Sequence, residues 1–177
     1  MIAPEEKIAE ARTAYGQTIE EVLAKEPERG IYKVLGAIEV LAGSKIYQKL
    51  PTSLAERMVF AFTWMAREAH NGGFHQFFFN SAGDYWRDVL EGLVAIGDKE
   101  GLGRYREILS IFPEAAPAQE RLARLEQLNA LEEDDEEKVS DHFNRLNLEY
   151  FSKPFPKWEL VFDYVKSHPS EFDLRKA

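Results

Sequence analysis

The sequence predicts an all-α protein, a single compact multi-helix domain over residues 1–177 with about seven or eight helices. Three observations carry that expectation. Apolar residues recur at three- and four-residue steps nearly throughout, and no stretch alternates as a strand would. Proline or glycine stands at most of the joints between these stretches. At 177 residues, with 45% hydrophobic and 12% aromatic content, the chain can build one ordinary core but falls short of comfortable two-domain length.

Pro4 suits a first helical turn, and Glu5 and Glu6 put negative charge where a helix N-terminus favours it. Ile8, Ala11, Tyr15, Ile19, Val22 and Leu23 then continue as one buried stripe. Pro27 and Gly30 break it ahead of a second pattern, Ile31, Leu35, Ile38, Val40 and Leu41. Pro51 opens the next helix, with Thr52 and Ser53 as candidate caps. Leu54, Met58, Phe60, Ala61, Phe62, Trp64 and Met65 make that helix apolar nearly all round, as a central helix is. It is expected to run to about His70 and stop at two glycines.

Beyond them, Ser81 and Asp84 have the spacing of a capping box, with Asp in place of the usual Glu or Gln. Leu90, Leu93, Val94 and Ile96 follow on one helix closed by Gly97, and Tyr105, Ile108, Leu109 and Phe112 on a shorter one ended by Pro113. Leu122, Leu125, Leu128 and Leu131 carry a helix up to an acidic run, expected as a loop. Val139, Phe143, Leu146 and Tyr150 carry the helix after it. Pro154 and Pro156 separate this from a last helix built on Trp158, Val161, Phe162 and Val165.

Composition removes several function classes. Without cysteine there are no disulfides, thiolate metal sites or cysteine nucleophiles. The acidic, amphipathic N-terminus lacks the basic start and apolar stretch of a secretory signal, and no apolar run reaches the ~18 residues of a membrane helix. A cytoplasmic protein is expected. A net charge of −9 argues against direct nucleic-acid binding and against an anionic membrane surface. Between Glu114 and Glu149 stand 11 acidic and 4 basic residues, so that segment carries −7 of the total. Any charged partner is therefore expected to be basic.

The densest chemistry lies in EAHNGGFHQFFFN, Glu68 to Asn80. Asn71 and Gly72 tolerate positive φ and make a natural stop for the central helix, while Gly73 lets the chain turn again. Phe74, Phe77 and Phe78 have the spacing of one helical face, worth roughly 1.5–3 kcal/mol each when buried. Asn71, Gln76 and Asn80 can then bond backbone groups freed at the helix ends. No histidine pair has the spacing of a zinc helix, so no metal or other cofactor is expected. A pocket around His70, His75, Ser81 and Asp84 remains the alternative, for small-molecule binding or hydrolysis.

NGGFHQFFFNSAGDYWRDVLEGLVAIG resembles the signature of a bacterial family of small helical proteins named for a neisserial DNA mimic. The matching residues are Asn71, Gly72, Gly73, Phe74, Gln76, Phe77, Phe79, Asn80, Ser81, Gly83, Asp84, Ile96 and Gly97. The resemblance implies an all-helical, acidic, dimeric protein without catalysis, one that occupies the DNA-binding face of a basic regulator.

Its working surface would be the acidic patch Glu126, Glu132, Glu133, Asp134, Asp135, Glu136, Glu137 and Asp141, extended by Glu5, Glu6, Glu10, Glu20 and Glu21. Carboxylates four residues apart on a helix are separated by roughly 6 Å of rise, a density comparable to that of phosphates on DNA. The same acids also suit a solvated loop, with Asp134 or Asp135 as an N-cap. An immunity or antitoxin-like protein neutralising a basic toxin is the related alternative.

Overall fold

The computed structural model describes residues 5–176, and among them there is no strand. The helices run in order as α1 (Glu5–Tyr15), α2 (Ile19–Leu23), α3 (Glu26–Arg29), α4 (Ile31–Tyr47) and α5 (Leu54–Phe79). They continue as α6 (Trp86–Ala95), α7 (Lys99–Leu109), α8 (Arg121–Ser152) and α9 (Trp158–Ser167). Short 3-10 turns stand at Ser81–Tyr85, Pro113–Ala115, Pro169–Glu171 and Leu174–Lys176. No helix among the described residues is long and apolar enough to cross a membrane. The expected role of Pro4 lies outside the described residues.

The chain divides into two compact units. One takes the chain up to Thr63 and from Trp158 onward, and the other is Trp64–Lys157. In the first unit α4 is the hub, with α1, α2, α3, α9 and the last 3-10 turn packed on it. Val34, Leu35, Ile38 and Leu41 form its buried face, and Val22, Val161 and Val165 join them in the core.

The continuous stripe expected from Ile8 to Leu23 is cut in two. The chain turns at Gly16, where φ is +106°. Thr18 then caps α2: its hydroxyl accepts the Glu21 N–H at 3.2 Å, and the Glu21 carboxylate accepts the Thr18 N–H at 3.1 Å. A capping box satisfies two orphan donors at once, which the apolar period could not reveal.

Ser53 is a cap, as its place before α5 suggests. Its hydroxyl accepts the Glu56 N–H at 3.0 Å, while Glu56 accepts the Ser53 N–H at 3.1 Å. The same carboxylate, 1% exposed, receives Lys45 Nζ at 2.6 and 2.7 Å. Lys45 also donates to the Asp173 carbonyl at 3.1 Å, and the Asp173 N–H donates to Glu56 at 3.0 Å. A buried ion pair thus holds the backbone of the last segment.

In the second unit the core is aromatic. Phe74, Phe77, Phe78, Tyr105 and Tyr150 are fully or almost fully buried, with Val89, Leu93, Ile108, Phe112, Phe143 and Leu146 around them. Burial alone pushes the Tyr150 hydroxyl up to about 12. Asp98 starts α7 by accepting the Gly101 N–H at 2.9 Å and also takes the Lys157 N–H at 3.1 Å.

Two apolar assignments fail: Val94 is 57% and Leu122 73% exposed. The buried face of the first half of α8 is Arg124 with Leu128. The loop expected over the acids is one residue long. Asp135 alone is non-helical (φ −158°, ψ 84°), and its carboxylate accepts the Lys138 N–H at 3.0 Å to restart the helix.

Candidate functional site

At the double glycine, α5 stops and restarts without a loop. Gly72 is extended (φ −157°), so the left-handed residue is Gly73, at φ +79° and ψ −173°. That differs from the expected placement at Asn71 or Gly72. The reason is across the unit: the Phe74 N–H, an orphan at the new helix start, donates to the Asn147 side-chain oxygen at 2.9 Å. A Cβ on Gly73 would overlap that Asn147 amide. Gly73→Ala is expected to cost about 1–3 kcal/mol from backbone strain, plus displacement of the cap. Urea unfolding checks this, and a cost within about 0.5 kcal/mol would contradict it.

The amides of the corner do not serve freed backbone groups as expected. Gln76 and Asn80 both donate to the Glu68 carboxylate, at 2.6 and 3.0 Å. Phe74, Phe77 and Phe78 are buried on one face, and Phe79 points outward at 45% exposure. Ser81 and Asp84 form no capping box. Ser81 is exposed, the 3-10 turn after Asn80 has no side-chain cap, and Asp84 is engaged elsewhere.

Its partner is Arg124, fully buried and satisfied at every N–H. Nε donates to the Phe78 carbonyl at 2.7 Å. One terminal nitrogen donates to the Ala118 and Gln119 carbonyls, both at 2.9 Å. The other donates to the Asn80 carbonyl at 3.0 Å and the Asp84 carboxylate at 2.7 Å. Five donors meet five acceptors, the full capacity of a guanidinium. Gly83 makes room, since a Cβ there would lie 2.7 Å from Arg124 Nε. The second half of the signature is therefore an arginine socket.

The alternative pocket does not form: His70, His75 and Asp84 hold separate partners, and Ser81 is exposed. His70 Nδ1 lies 2.7 Å from the Ala66 carbonyl, and His75 Nε2 lies 2.8 Å from Glu132 Oε1. His70 and His75 line different surface depressions. With Asp84 on Arg124, nothing orients an imidazole toward Ser81. Ser167 Oγ does lie 3.0 Å from His168 Nδ1, but it donates to the Asp163 and Tyr164 carbonyls of its own helix, as a helix end does. Among the described residues no cluster of three or more His, Asp and Glu could hold a metal ion. His142, half-buried against the Ile108 carbonyl, is held below the usual imidazole range, chiefly by burial.

The acids of α8 separate into groups. Glu132 is tied to His75, and Asp135 caps the second half of the helix. Val139, Phe143, Leu146 and Tyr150 face inward, which turns Glu137 and Asp141, four residues apart, directly outward. Glu126 and Glu133, seven apart, share the outward side of the first half, opposite Arg124 and Leu128. Glu126, Glu133, Asp134, Glu136, Glu137 and Asp141 have no cationic partner among the described residues. Toward the C-terminus the row stops. Arg145 pairs with Glu107 at 2.8 Å and Glu149 at 3.0 Å, and Leu148 and Phe151 are 72% and 50% exposed. The N-terminal acids Glu5, Glu6, Glu10, Glu20 and Glu21 are exposed on the other unit, with Glu21 committed to its cap.

Sequence reasoning missed Arg124, Glu68 and Asn147, the three side chains that hold the corner together. No curated protein and no solved structure matches the chain. A family model described as DMP19-like protein matches residues 50–168, about two-thirds of the sequence, and spans the glycine corner, the socket and the acidic helix. The chain belongs to the DMP19-like protein family, the DNA-mimic family that its glycine corner resembles.

Proposed function

We propose that this protein is a non-enzymatic, acidic interaction protein whose α8 surface occupies the DNA-binding face of a basic protein. The observation that carries this reading is the set of outward-facing acids on α8, Glu126 and Glu133 on its first half and Glu137 and Asp141 on its second, whose carboxylates are free of internal cations. Glu137 and Asp141 stand one four-residue step apart on the second half of the helix, roughly 6 Å of rise, so a lysine- and arginine-rich groove meets them as it meets neighbouring phosphates, while Glu126 and Glu133 add outward charge on the first half, before the kink at Asp135. Family membership supports a protein partner that itself binds DNA. Solvent-facing charge gives fast, salt-sensitive association, and the partner's cations supply the complement.

The test combines competition with charge removal. A partner captured on the immobilised protein should be released by duplex DNA and by raising salt. The triple variant Glu133→Gln, Glu137→Gln, Asp141→Asn should bind it at least about tenfold more weakly, with a shallower salt dependence. These residues are exposed, so the variant should melt with the parent. Capture that ignores both DNA and salt, or a triple variant that binds unchanged, would overturn the reading.

A further inference from the structure

The acidic side of α8 leads into an apolar ledge. Leu148 follows Asp141 by seven residues, about two helical turns and roughly 10 Å, and is largely exposed on the same outward side. It borders two open depressions of the second unit. One also holds Glu137, Asp141 and Arg145, so leucine and acids line a single concave surface. The other is lined by Leu148 and Phe151 with His70, Gly72, Gly73 and Asn147.

The ledge is held firmly for a surface feature. The half-exposed Phe151 ring meets the His70 and Tyr150 rings edge-on, at 5.6 and 5.9 Å. His70 is fixed in turn, with Nδ1 2.7 Å from the Ala66 carbonyl. Gly72 and Gly73 bring only backbone to the depression. A run of phosphates has no counterpart to such a ledge, so the acids alone do not define the partner.

We propose, resting on the reading of α8 as a partner surface, that one basic segment of the partner covers both features. Two Lys or Arg side chains meet Glu137 and Asp141, and an apolar side chain roughly 10 Å further on seats between Leu148 and Phe151. Charge complementarity selects this occupant. Glu137 and Asp141 have no cationic partner among the described residues and share a depression with Leu148. A segment without cations that covered the leucine would leave two carboxylates desolvated and unpaired. Charge then governs encounter, and the apolar seat governs how long the complex lasts.

The probes are synthetic helical peptides with two arginines four residues apart and a leucine seven residues beyond, made in both chain directions, and the same peptides with serine for that leucine. Binding to the full-length protein is followed by fluorescence anisotropy at low and high salt. In the better-bound direction the leucine peptide should bind about tenfold more tightly than its serine counterpart, the value of partly burying one leucine. Leu148→Ser should abolish that preference at an unchanged melting temperature. Glu137→Gln with Asp141→Asn should weaken both peptides and keep the preference. Failure of either peptide to bind, or equal binding of the two, would overturn the proposal, and equal binding that still falls with salt would leave the acidic surface standing without the ledge. A leucine preference indifferent to salt and to the acid substitutions would overturn it through the acids instead. An oligomeric parent that Leu148→Ser turns into a monomer would assign the ledge to a second copy, against the proposal.

Discussion

Arg124→Met is expected to destabilise the protein by about 3–5 kcal/mol, read as a fall in the urea midpoint without loss of cooperativity. The substitution keeps an unbranched side chain of helix-forming character, so the loss is electrostatic. It strips donors from four carbonyls, those of Phe78, Asn80, Ala118 and Gln119, and leaves Asp84 without its cation. A buried acceptor stripped of its donor costs roughly 1–3 kcal/mol where water cannot reach it. Arg124→Lys should recover little, because an ammonium has three donors and no planar fork to meet five acceptors. If Arg124→Lys matched the parent, the socket would be only a charge pair, and the account of Gly83 and the carbonyls would be wrong.

The second large effect is expected at Lys45 and Glu56 in the other unit. Either Lys45→Met or Glu56→Met should cost about 3–5 kcal/mol, because each leaves the remaining group buried without its full complement. The double variant Lys45→Met, Glu56→Met should cost less than the sum of the single ones, by about 0.5–3 kcal/mol, the range of coupling between residues in contact. It should not return to the parent, because the Ser53 and Asp173 N–H groups lose the acceptor they share. A double-mutant cycle by urea unfolding decides the matter. Strict additivity would mean that the two side chains act separately.

Most of the helices could be read from the sequence because burial of apolar side chains sets their period. Val139, Phe143, Leu146 and Tyr150 are all buried, as are Tyr105, Ile108, Leu109 and Phe112. The failures share a cause. The leucine period puts Leu122 inside, yet Arg124 takes the buried face there, held by carbonyls 46 and 44 residues away that no local pattern reports. In the charge count Arg124 merely dilutes the acids. Asn147 stands between Leu146 and Leu148 with no local partner in sequence, and its role shows only through Phe74, 73 residues away. Ser53 as a cap, by contrast, is legible because capping is local, although the Glu56 half of the box is not. The acidic run was legible as charge but not as helix: six like charges suggest a loop, and the chain instead absorbs them at a single kink with an aspartate cap.

The arginine socket makes identity and action separable in this chain. Its acceptors, its glycine and its countercharge all converge on the buried Arg124, whereas Glu126, Glu133, Glu137 and Asp141 contribute nothing to it. Selection can rewrite the outward side of α8, even reverse its sign, without the fold registering the change. Two chains that share the socket can therefore serve unrelated partners, and a common partner is better tested by the outward side chains of this helix than by the motif that announces the family.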